Sequence, residues 1–518
     1  MEPMNALRHR KALRRYQGEI VRRANPDWVW SHFNVRPLGG YRWAPDRRLM
    51  MPMVNIAGPG SRYTAPAASS GAYQEALYGP PSVFWEPAKA SNGDGTEGNP
   101  YQYSQLAANV SAGHVVGILP GFEALGIPVD NDLPAFNPGV SGTALSRIVY
   151  VGKYDPGTMS NPLTDSNRTQ IGHSAGATEA NWRASIGWNG VDYATFDSIV
   201  LDSADGKFPM DTGALIANAT LAPRAYRLWV QAEDPSPATL SNYCALWNTI
   251  STDLHIADCT FKGFRYTGQT TTNISVFILY SANNFLIENC DIENSNQALY
   301  QKGQQSVEGG LNYGVFRRNR ISDVGAFARI QASHATNYTD IYQNLATGIE
   351  RYGFNLQIAG EGDWCRKLRV YNNTFVFEDA STEDVFGSGG DDIASDDISY
   401  FENIARLGAN GSYYRNFPTG ISLTRVRNNL DYRPSGSHQY IANGSTYTGI
   451  SDYQTALAGI FSANAREEGS SNANPDLHAT TYRPQAGSAA LTMGTASGLG
   501  GAGGEIGYGG GNPTIGRR

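Results

Sequence analysis

The chain of 518 residues contains few cysteines and few charged residues, and each observation limits the class of protein to which it can belong. The four cysteines (Cys244, Cys259, Cys290 and Cys365) form no C-x-x-C pair, so a zinc site is not expected. Charged residues make up 17% while Gly (58) and Tyr (29) are abundant, which favours a turn-rich β protein. No apolar run reaches about 18 residues, so no membrane-spanning helix is expected. The basic start lacks the apolar segment of a secretory signal, which predicts synthesis in a cytoplasm.

A polar residue recurs through the middle of the chain at intervals of 31, 30, 25, 29, 30 and 26 residues. Each occurrence follows a short run that is rich in β-branched or aromatic residues. The recurring residues are Asp258, Asn289, Asn319, Asn344, Asn373, Asn403 and Asn429. A period of this length, built from short strands and turns, is typical of a solenoid in which successive coils bury a shared core. Asn suits the corners because it tolerates left-handed backbone geometry and bonds to nearby backbone groups.

This pattern predicts a parallel β-helix in which the recurring side chains stack as an Asn ladder and carry out no chemistry. Cys259 and Cys290 each follow a ladder residue and lie one coil apart, at about 4.8 Å if the strands are in register. A disulfide is compatible with that distance. We favour two stacked, reduced and buried thiols.

The first 50 residues have a different composition from the rest of the chain. They contain eleven Arg or Lys against four acidic residues, whereas the whole chain has a net charge of −7. Residues 4–24 hold good helix formers and no proline, so part of this basic arm is predicted to be helical. A basic arm on an acidic body is suited to docking on an acidic protein surface. Nucleic acid is the less favoured partner because no nucleic-acid motif accompanies the charge.

Both ends of the predicted solenoid resemble a known family. The segment SNGDGTEGNPYQYSQLAANVSAGHVVGILPGF contains Gly93, Gly95, Thr96 and an Asn99-Pro100 pair before a short helix and a strand. It resembles the opening of right-handed parallel β-helix proteins of the pectate-lyase-like superfamily, including phage tailspikes and virion spikes. Near the other end, ANPDL and then YRPQAGSAAL and GGEIGYGG are similar to the closing pattern of that family. The resemblance covers about residues 90–510 and leaves the basic arm outside it.

The resemblance implies an all-β chain with a right-handed parallel β-helix and three parts. Residues 1–85 are predicted to be the basic arm and linker, an attachment segment. Residues 86–435 are predicted to form the β-helix, and residues 436–518 its closing coils and cap. The superfamily includes pectate lyases, polygalacturonases, mannuronan epimerases and tailspike depolymerases. The catalytic patterns of the first three are missing here, so no catalytic residue of those families can be carried over.

Three loops on successive coils offer the groups that a carbohydrate site would need. Glycoside hydrolysis uses two carboxylates, and an elimination pairs a base with a group that neutralises a uronate. The candidate catalytic residues are Glu361, Asp363, Asp391 and Asp392, and the candidate substrate-binding residues are Arg329, His334 and Trp364. No metal site is predicted, although Ca²⁺ is the one cofactor that the acidic loop at 391–397 could bind. The alternative is that all of these are solvated turn residues.

Two functions are compatible with these observations. The first is a virion-associated β-helical spike, fibre or decoration protein that docks by residues 1–50 and engages surface glycans. The second is a polysaccharide lyase or glycoside hydrolase, a depolymerase acting on an acidic or surface polysaccharide. The missing catalytic patterns favour the first, and the resemblance to tailspikes implies a homotrimer. The expected location is a virion after synthesis in a host cytoplasm, or alternatively outside the cell by a non-Sec route.

Overall fold

The computed structural model describes most of the chain between residues 74 and 493. The described ranges are 74–125, 136–153, 168–173, 186–201, 214–232, 243–265, 274–302, 314–332, 336–358, 364–378, 385–389, 394–396, 398–408, 416–417, 423–435, 438–442, 444–460, 469–491 and 493. All of them belong to one compact unit. The predicted helical part of the basic arm lies outside the described residues.

The described residues are mostly short strands, with a few short helices. The strands are β1 (Val83–Trp85), β2 (Val115–Ile118), β3 (Gly121–Leu125), β4 (Ile148–Val151), β5 (Thr169–His173), β6 (Ile186–Asn189), β7 (Ala194–Asp197), β8 (Val200–Leu201), β9 (Leu215–Asn218), β10 (Thr220–Leu221), β11 (Arg224–Tyr226), β12 (Trp229–Gln231), β13 (Tyr243–Thr252), β14 (His255–Ala257), β15 (Thr260–Lys262), β16 (Ile274–Asn283), β17 (Phe285–Glu288), β18 (Asp291–Lys302), β19 (Gly314–Arg317), β20 (Arg320–Ala332), β21 (Thr336–Tyr342), β22 (Leu345–Ile358), β23 (Trp364–Tyr371), β24 (Thr374–Phe377), β25 (Phe386–Gly389), β26 (Ala394–Asp396), β27 (Ile398–Phe401), β28 (Ile404–Arg406), β29 (Asn416–Phe417), β30 (Leu423–Arg427), β31 (Leu430–Tyr432), β32 (Tyr440–Ala442) and β33 (Ser445–Tyr447). The α-helices are α1 (Glu75–Tyr78), α2 (Leu106–Asn109) and α3 (Ile450–Ala458), and 3₁₀ turns cover Tyr103–Gln105 and Ala489–Leu491.

One parallel sheet runs the length of this unit and forms wall A. Its strands follow the order β1-β2-β4-β7-β11-β14-β17-β19-β21-β23-β27-β30, so each strand pairs with the strand one coil further along the chain. All of these pairings are parallel, as β14 with β17 and β23 with β27 illustrate. The predicted all-β class and the predicted parallel β-helix are confirmed.

The second large sheet supplies two further walls because its long strands bend across a corner. In β18, residues Asp291–Glu293 pair with β15, whereas Leu299–Gln301 pair with β16. Wall B contains β3, β5, β8, β12, β15, β24, β28, β31 and the first parts of β18, β20 and β22. Wall C contains β6, β9, β13, β16, β25 and the last parts of β18, β20 and β22.

The two-residue alternation of each strand separates the core from the outer surface. In β23, Val370 is fully buried among the core side chains, while its neighbours Arg369 and Tyr371 lie on the outer face of wall A. The core stacks one apolar side chain per coil, as in the series Ile287, Phe316 and Ile341. Each coil is therefore stabilised by the coils above and below it, as the solenoid pattern requires.

The Asn ladder is present at the corner between walls A and B. Each Nδ2 donates to the Oδ1 of the next coil: Asn319 to Asn344 (3.0 Å), Asn344 to Asn373 (2.9 Å), Asn373 to Asn403 (3.0 Å) and Asn403 to Asn429 (3.3 Å). The amides of Asn344, Asn373 and Asn403 also donate to the backbone carbonyl two residues earlier, each at 3.1 Å. These buried amides satisfy backbone groups of the turn and stabilise the corner.

Asp258 and Asn289 lie at this corner but one position before the ladder. Both have a positive φ (57° and 55°), and the residues in register with them further along include Arg318 and Asn372. The ladder position in their two coils is held by Cys259 and Cys290. Since Asn tolerates left-handed geometry, the same residue type suits both adjacent positions, and the sequence pattern could not separate them.

The two cysteines act as members of the ladder. The thiol of Cys290 donates to the carbonyl oxygen two residues earlier (Glu288, 3.3 Å), and Cys259 does the same to Ala257 (3.3 Å). The amide N–H of Cys290 in turn bonds to Asn319 Oδ1 (3.0 Å), which joins the thiols to the amides. Both cysteines are free and buried, so the expected pair of reduced thiols is confirmed and the disulfide alternative is wrong.

The predicted domain limits at residues 85/86 and 435/436 stay predictions. The first strand of wall A begins at Val83, three residues before the predicted start of the β-helix. After β31, the chain forms the antiparallel pair β32–β33 and helix α3, which differ from the parallel coils before them. Ser471 then forms a parallel bridge to Leu430 of β31.

Candidate functional site

The strands before and after the three loops that carry the predicted site are in register from coil to coil. Before the loops, Gln331, Gln357 and Gly389 are partners at the ends of β20, β22 and β25. After them, residues of β21, β23 and β26 are partners in the same way. The loops therefore connect wall C to wall A on three consecutive coils.

The side chains of most predicted site residues lie outside the described residues. These are His334, Glu361, Asp363, Asp391 and Asp392, together with the side chain of Trp364, whose backbone begins β23. Their grouping in one groove stays a prediction, as does the suggested Ca²⁺ site at 391–397. Within the part of the chain that the structure describes, no three His, Cys, Asp or Glu side chains form a metal-binding group.

Arg329 is the predicted site residue that the structure describes fully. It lies on the outer face of wall C, in register with Tyr300 before it and Asn355 after it. Its guanidinium group lies 5.3 Å from the centre of the Tyr300 ring, and the residue is 8% exposed. Among the described residues, no acceptor bonds to its Nε atom. A buried guanidinium with an unused donor is suited to an anionic ligand group.

Further aromatic side chains lie on the same outer face, on the coils before Arg329. The rings of Trp247 and Tyr280 lie 5.0 Å apart on neighbouring coils, and both side chains are partly exposed. The ammonium group of Lys302 lies 5.5 Å from the centre of the Tyr280 ring. Burial, followed by the nearby Cys244, raises the pKa of Tyr280, so its hydroxyl stays protonated at neutral pH. The hydroxyl of Tyr300 donates to Gln331 Oε1.

Amide side chains extend this surface toward the N-terminal coils of the β-helix. Asn218 Nδ2 donates to Asn189 Oδ1 (3.0 Å), and Thr249 Oγ1 donates to Asn218 Oδ1 (2.7 Å). Asn137 extends the row by bonding to the backbone oxygen of Asn189 (3.0 Å). These side chains are partly exposed, so they can also bond to a ligand.

All of these groups belong to two adjacent columns on the outer face of wall C, which we call the wall C strip. The register of β6, β9, β13, β16, β18, β20 and β22 sets the columns. The strip consists of Asn189, Asn218, Thr249, Tyr280, Lys302, Gln331, Trp247, Tyr300 and Arg329. Five coil steps of about 4.8 Å separate Asn189 from Gln331, so it is about 24 Å long.

The composition of the strip determines what it can do chemically. Amides both donate and accept hydrogen bonds, aromatic rings offer flat apolar surfaces, and Lys302 and Arg329 add positive charge. The strip residues just named include no carboxylate. A hydrolytic or elimination reaction on this surface would therefore need its acid or base from the adjoining loops, where Glu361, Asp363, Asp391 and Asp392 were predicted.

Apart from Arg329, sequence reasoning did not identify the strip. The signal was nonetheless present, because Asn189, Asn218, Thr249 and Tyr280 follow one another at 29, 31 and 31 residues, the period of the ladder. The repeat was missed because the residue type at this position changes along the coils, from Asn to Thr to Tyr.

A second polar cluster lies on the outer face of wall A. Tyr226 and His255 share a hydrogen bond (2.8 Å), His255 Nε2 lies 3.2 Å from Glu288, and Arg317 Nε donates to the other Glu288 oxygen (2.8 Å). Burial raises the pKa of Glu288, but the hydrogen bond of His255 and the charge of Arg317 outweigh it and bring the pKa to about 2. Arg317 also donates to Tyr342 (2.8 Å). The members satisfy one another, so we assign this cluster to fold stability.

Comparison with known proteins finds similarity in structure alone. No family model matches the chain, and no curated protein matches its sequence. An exopolygalacturonase from Thermotoga maritima is similar over 67% of this chain and 87% of its own, at 11% identity and a TM-score of 0.34. The tailspike of E. coli bacteriophage HK620, solved with a pentasaccharide, is similar over 66% and 73%, at 10% and 0.34. The pectate lyase Pel9A is similar over 82% and 95%, at 11% and 0.33.

The strand register described above defines the class of this protein as a parallel β-helix. Among the described residues, no helix is long and apolar enough to cross a membrane.

Proposed function

We propose that this protein is a virion-associated β-helical spike, fibre or decoration protein that binds an acidic glycan along the wall C strip. The observation that carries the glycan part is the strip itself, in which amides, aromatic rings and two cations occupy adjacent columns over successive coils. A polymer with repeating hydroxyl groups and apolar faces matches a surface that repeats with the coil. Lys302 and Arg329 favour a polymer that also carries carboxylate or sulfate groups.

Trp247→Ala and Tyr280→Ala should each weaken binding of an acidic oligosaccharide about tenfold, because an aromatic contact of about 1 to 1.5 kcal/mol is lost. The measurement is calorimetric titration with a series of uronate oligosaccharides. The matched control is Trp229→Ala, which removes another partly exposed tryptophan with a lysine over its ring (Lys262, 4.9 Å) from wall B. That variant should bind as the wild type does.

Equal weakening of oligosaccharide binding in all three variants would show that the wall C strip is not the binding surface. A neutral oligosaccharide that binds as tightly as the acidic one would contradict the role of Lys302 and Arg329. Progressive shortening of the oligosaccharide during titration would favour the alternative function, a lyase or hydrolase that uses the adjoining loops.

The attachment part of the proposal rests on the basic arm. Deleting residues 1–50 should leave the β-helix folded and abolish docking to the particle, since the arm lies outside the family resemblance and carries an excess of seven positive charges. The measurement is co-sedimentation of full-length and shortened protein with the particle at two salt concentrations. Salt should weaken docking of the full-length protein, because the Debye length falls to about 3 Å at 1 M.

Two results would count against this attachment model. Equal co-sedimentation of the two proteins would assign attachment to the β-helix instead of the arm. The model also includes the predicted homotrimer, and light scattering that gives a monomer at micromolar concentration would contradict it.

A further inference from the structure

Three arginines lie close together on the outer face of wall A, near the last coils. Arg369 and Arg425 occupy one outward column with Ser399 between them, and Arg427 lies in the neighbouring column beside Phe401. Wall A and wall C are different walls of the β-helix, so this group is separate from the wall C strip. We call Arg425, Arg427, Ser399 and Phe401 the wall A arginine site.

The guanidinium group of Arg425 lies over an aromatic ring. Its central carbon lies 3.9 Å from the centre of the Phe401 ring, and its side chain is 14% exposed. Stacking of this kind leaves the edge of the guanidinium, with its N–H donors, available to other groups. The Nη2 atom is buried and makes no hydrogen bond to any described residue. Its ion-pair contact to Glu402 Oε1 is long, at 3.5 Å.

Two carboxylates lie close to these arginines. Arg369 is already occupied by Asp340, which accepts from its Nε (2.6 Å) and its Nη2 (2.5 Å). Glu402 is the carboxylate that faces Arg425. Burial lowers the pKa of Arg425, and the charges of Arg427 and Arg369 lower it further against the opposing effect of Glu402. The positive charges of Arg427 and Arg369 are therefore close enough to repel that of Arg425.

We propose that the wall A arginine site binds one oxyanion, a carboxylate, sulfate or phosphate group, between Arg425 and Arg427. Two guanidinium groups match the geometry of such an ion, and charge-assisted bonds of this kind are stronger than neutral ones. The ion would supply the acceptor that Arg425 Nη2 lacks and would reduce the repulsion between Arg425 and Arg427. Ser399, next to Arg425 on the preceding strand, could donate a further hydrogen bond.

The test measures phosphate binding to the whole protein by phosphorus NMR line broadening, together with melting temperatures in phosphate and in chloride at matched ionic strength. We expect one phosphate per chain and a melting temperature about 1–2 °C higher in phosphate. Arg425→Gln should weaken binding at least tenfold and remove the shift, and Arg425→Lys should weaken it less. The control is Arg406→Gln, which removes an exposed arginine from β28 on wall B and should change neither readout.

Comparing variants separates specific binding from the general stabilising effect of phosphate, which all variants would share. Equal broadening and equal shifts in wild type, Arg425→Gln and Arg406→Gln would overturn the proposal. If Arg425→Gln does not fold, Arg427→Gln takes its place, and unchanged phosphate binding in that variant would overturn the proposal. Glucuronate is then titrated against bound phosphate in Trp247→Ala, in which the wall C strip is weakened and wall A is unchanged. Displacement of phosphate would assign the wall A arginine site to an acidic sugar, and no displacement would assign it to a free inorganic ion.

Discussion

Replacing Asn373 by Leu should lower the free energy of unfolding by about 3 kcal/mol or more. The Nδ2 group of Asn373 donates to the carbonyl oxygens of Ile341 (3.0 Å) and Tyr371 (3.1 Å) and to Asn403 Oδ1 (3.0 Å). Its Oδ1 accepts from the backbone and side-chain nitrogens of Asn344. Leu would leave these groups without partners inside the helix, and a buried polar group left unsatisfied costs about 1–3 kcal/mol.

Thermal unfolding followed by circular dichroism measures this effect, and three other variants are compared with it. Asn337→Leu, off the ladder in β21, should destabilise less, and Asn109→Leu changes an exposed residue of α2. Cys290→Asn places an amide at a ladder position whose thiol already bonds as the amides do, so it should keep or raise the melting temperature. Equal melting temperatures for Asn373→Leu and Asn109→Leu would contradict the importance of the ladder.

Replacing Asp258 by Asn should stabilise the protein by about 2–3 kcal/mol at pH 7.5. Burial raises the pKa of this carboxyl to about 6 despite the nearby Arg227, so the folded state holds the ionised group unfavourably. A shift of about two pKa units corresponds to about 2.7 kcal/mol. Asn tolerates the positive φ of 57° at this position, as Asn289 does one coil later.

The pH dependence of this gain follows from the raised pKa. Below about pH 4 the carboxyl is protonated in both states, so Asp258 carries no penalty. Between about pH 4 and 6 the unfolded chain releases the proton while the folded chain keeps it, and the folded state loses stability as pH rises. The advantage of Asp258→Asn should therefore disappear near pH 4. Asp452→Asn, at an exposed position of α3, is the control and should not stabilise the protein at pH 7.5.

The sequence determined the repeat because the repeat is a local property. A strand, a corner residue and a turn lie close together in the chain, and their recurrence near 30 residues was visible without any tertiary contact. The corner residues from Asn319 to Asn429 were predicted correctly for this reason. Asp258 and Asn289 were placed one position too late in the coil, because a left-handed corner and a ladder position favour the same residue type.

The role of the cysteines could be anticipated only in part. Their spacing predicted stacked thiols, and the free, buried state confirms it. Their place within the ladder itself required the register, which shows Cys290 aligned with Asn319. A thiol that donates to a carbonyl two residues earlier is not a pattern that composition or spacing predicts.

The predicted loops and the wall C strip differ in how the sequence encodes them. Arg329 was predicted to lie in a loop with other chemical groups, which was wrong. The structure places it within strand β20, on the outer face of wall C beside Tyr300. The side chains of Glu361, Asp363, Asp391 and Asp392 lie outside the described residues, so their role stays a prediction.

By itself, the sequence determined the class of fold, the period of the coil and the corner where amides stack, because each depends on residues within about 30 positions of one another. Only the tertiary structure decided which polar side chains share a surface. Asn189, Tyr280 and Arg329 are 140 residues apart from first to last, and the register of wall C brings them into one strip. In the same way, wall A brings Arg369 and Arg425 together across Ser399. The physical reason is that parallel pairing sets residues one coil apart about 4.8 Å from each other, so a one-residue change of register would reverse which side chains face solvent.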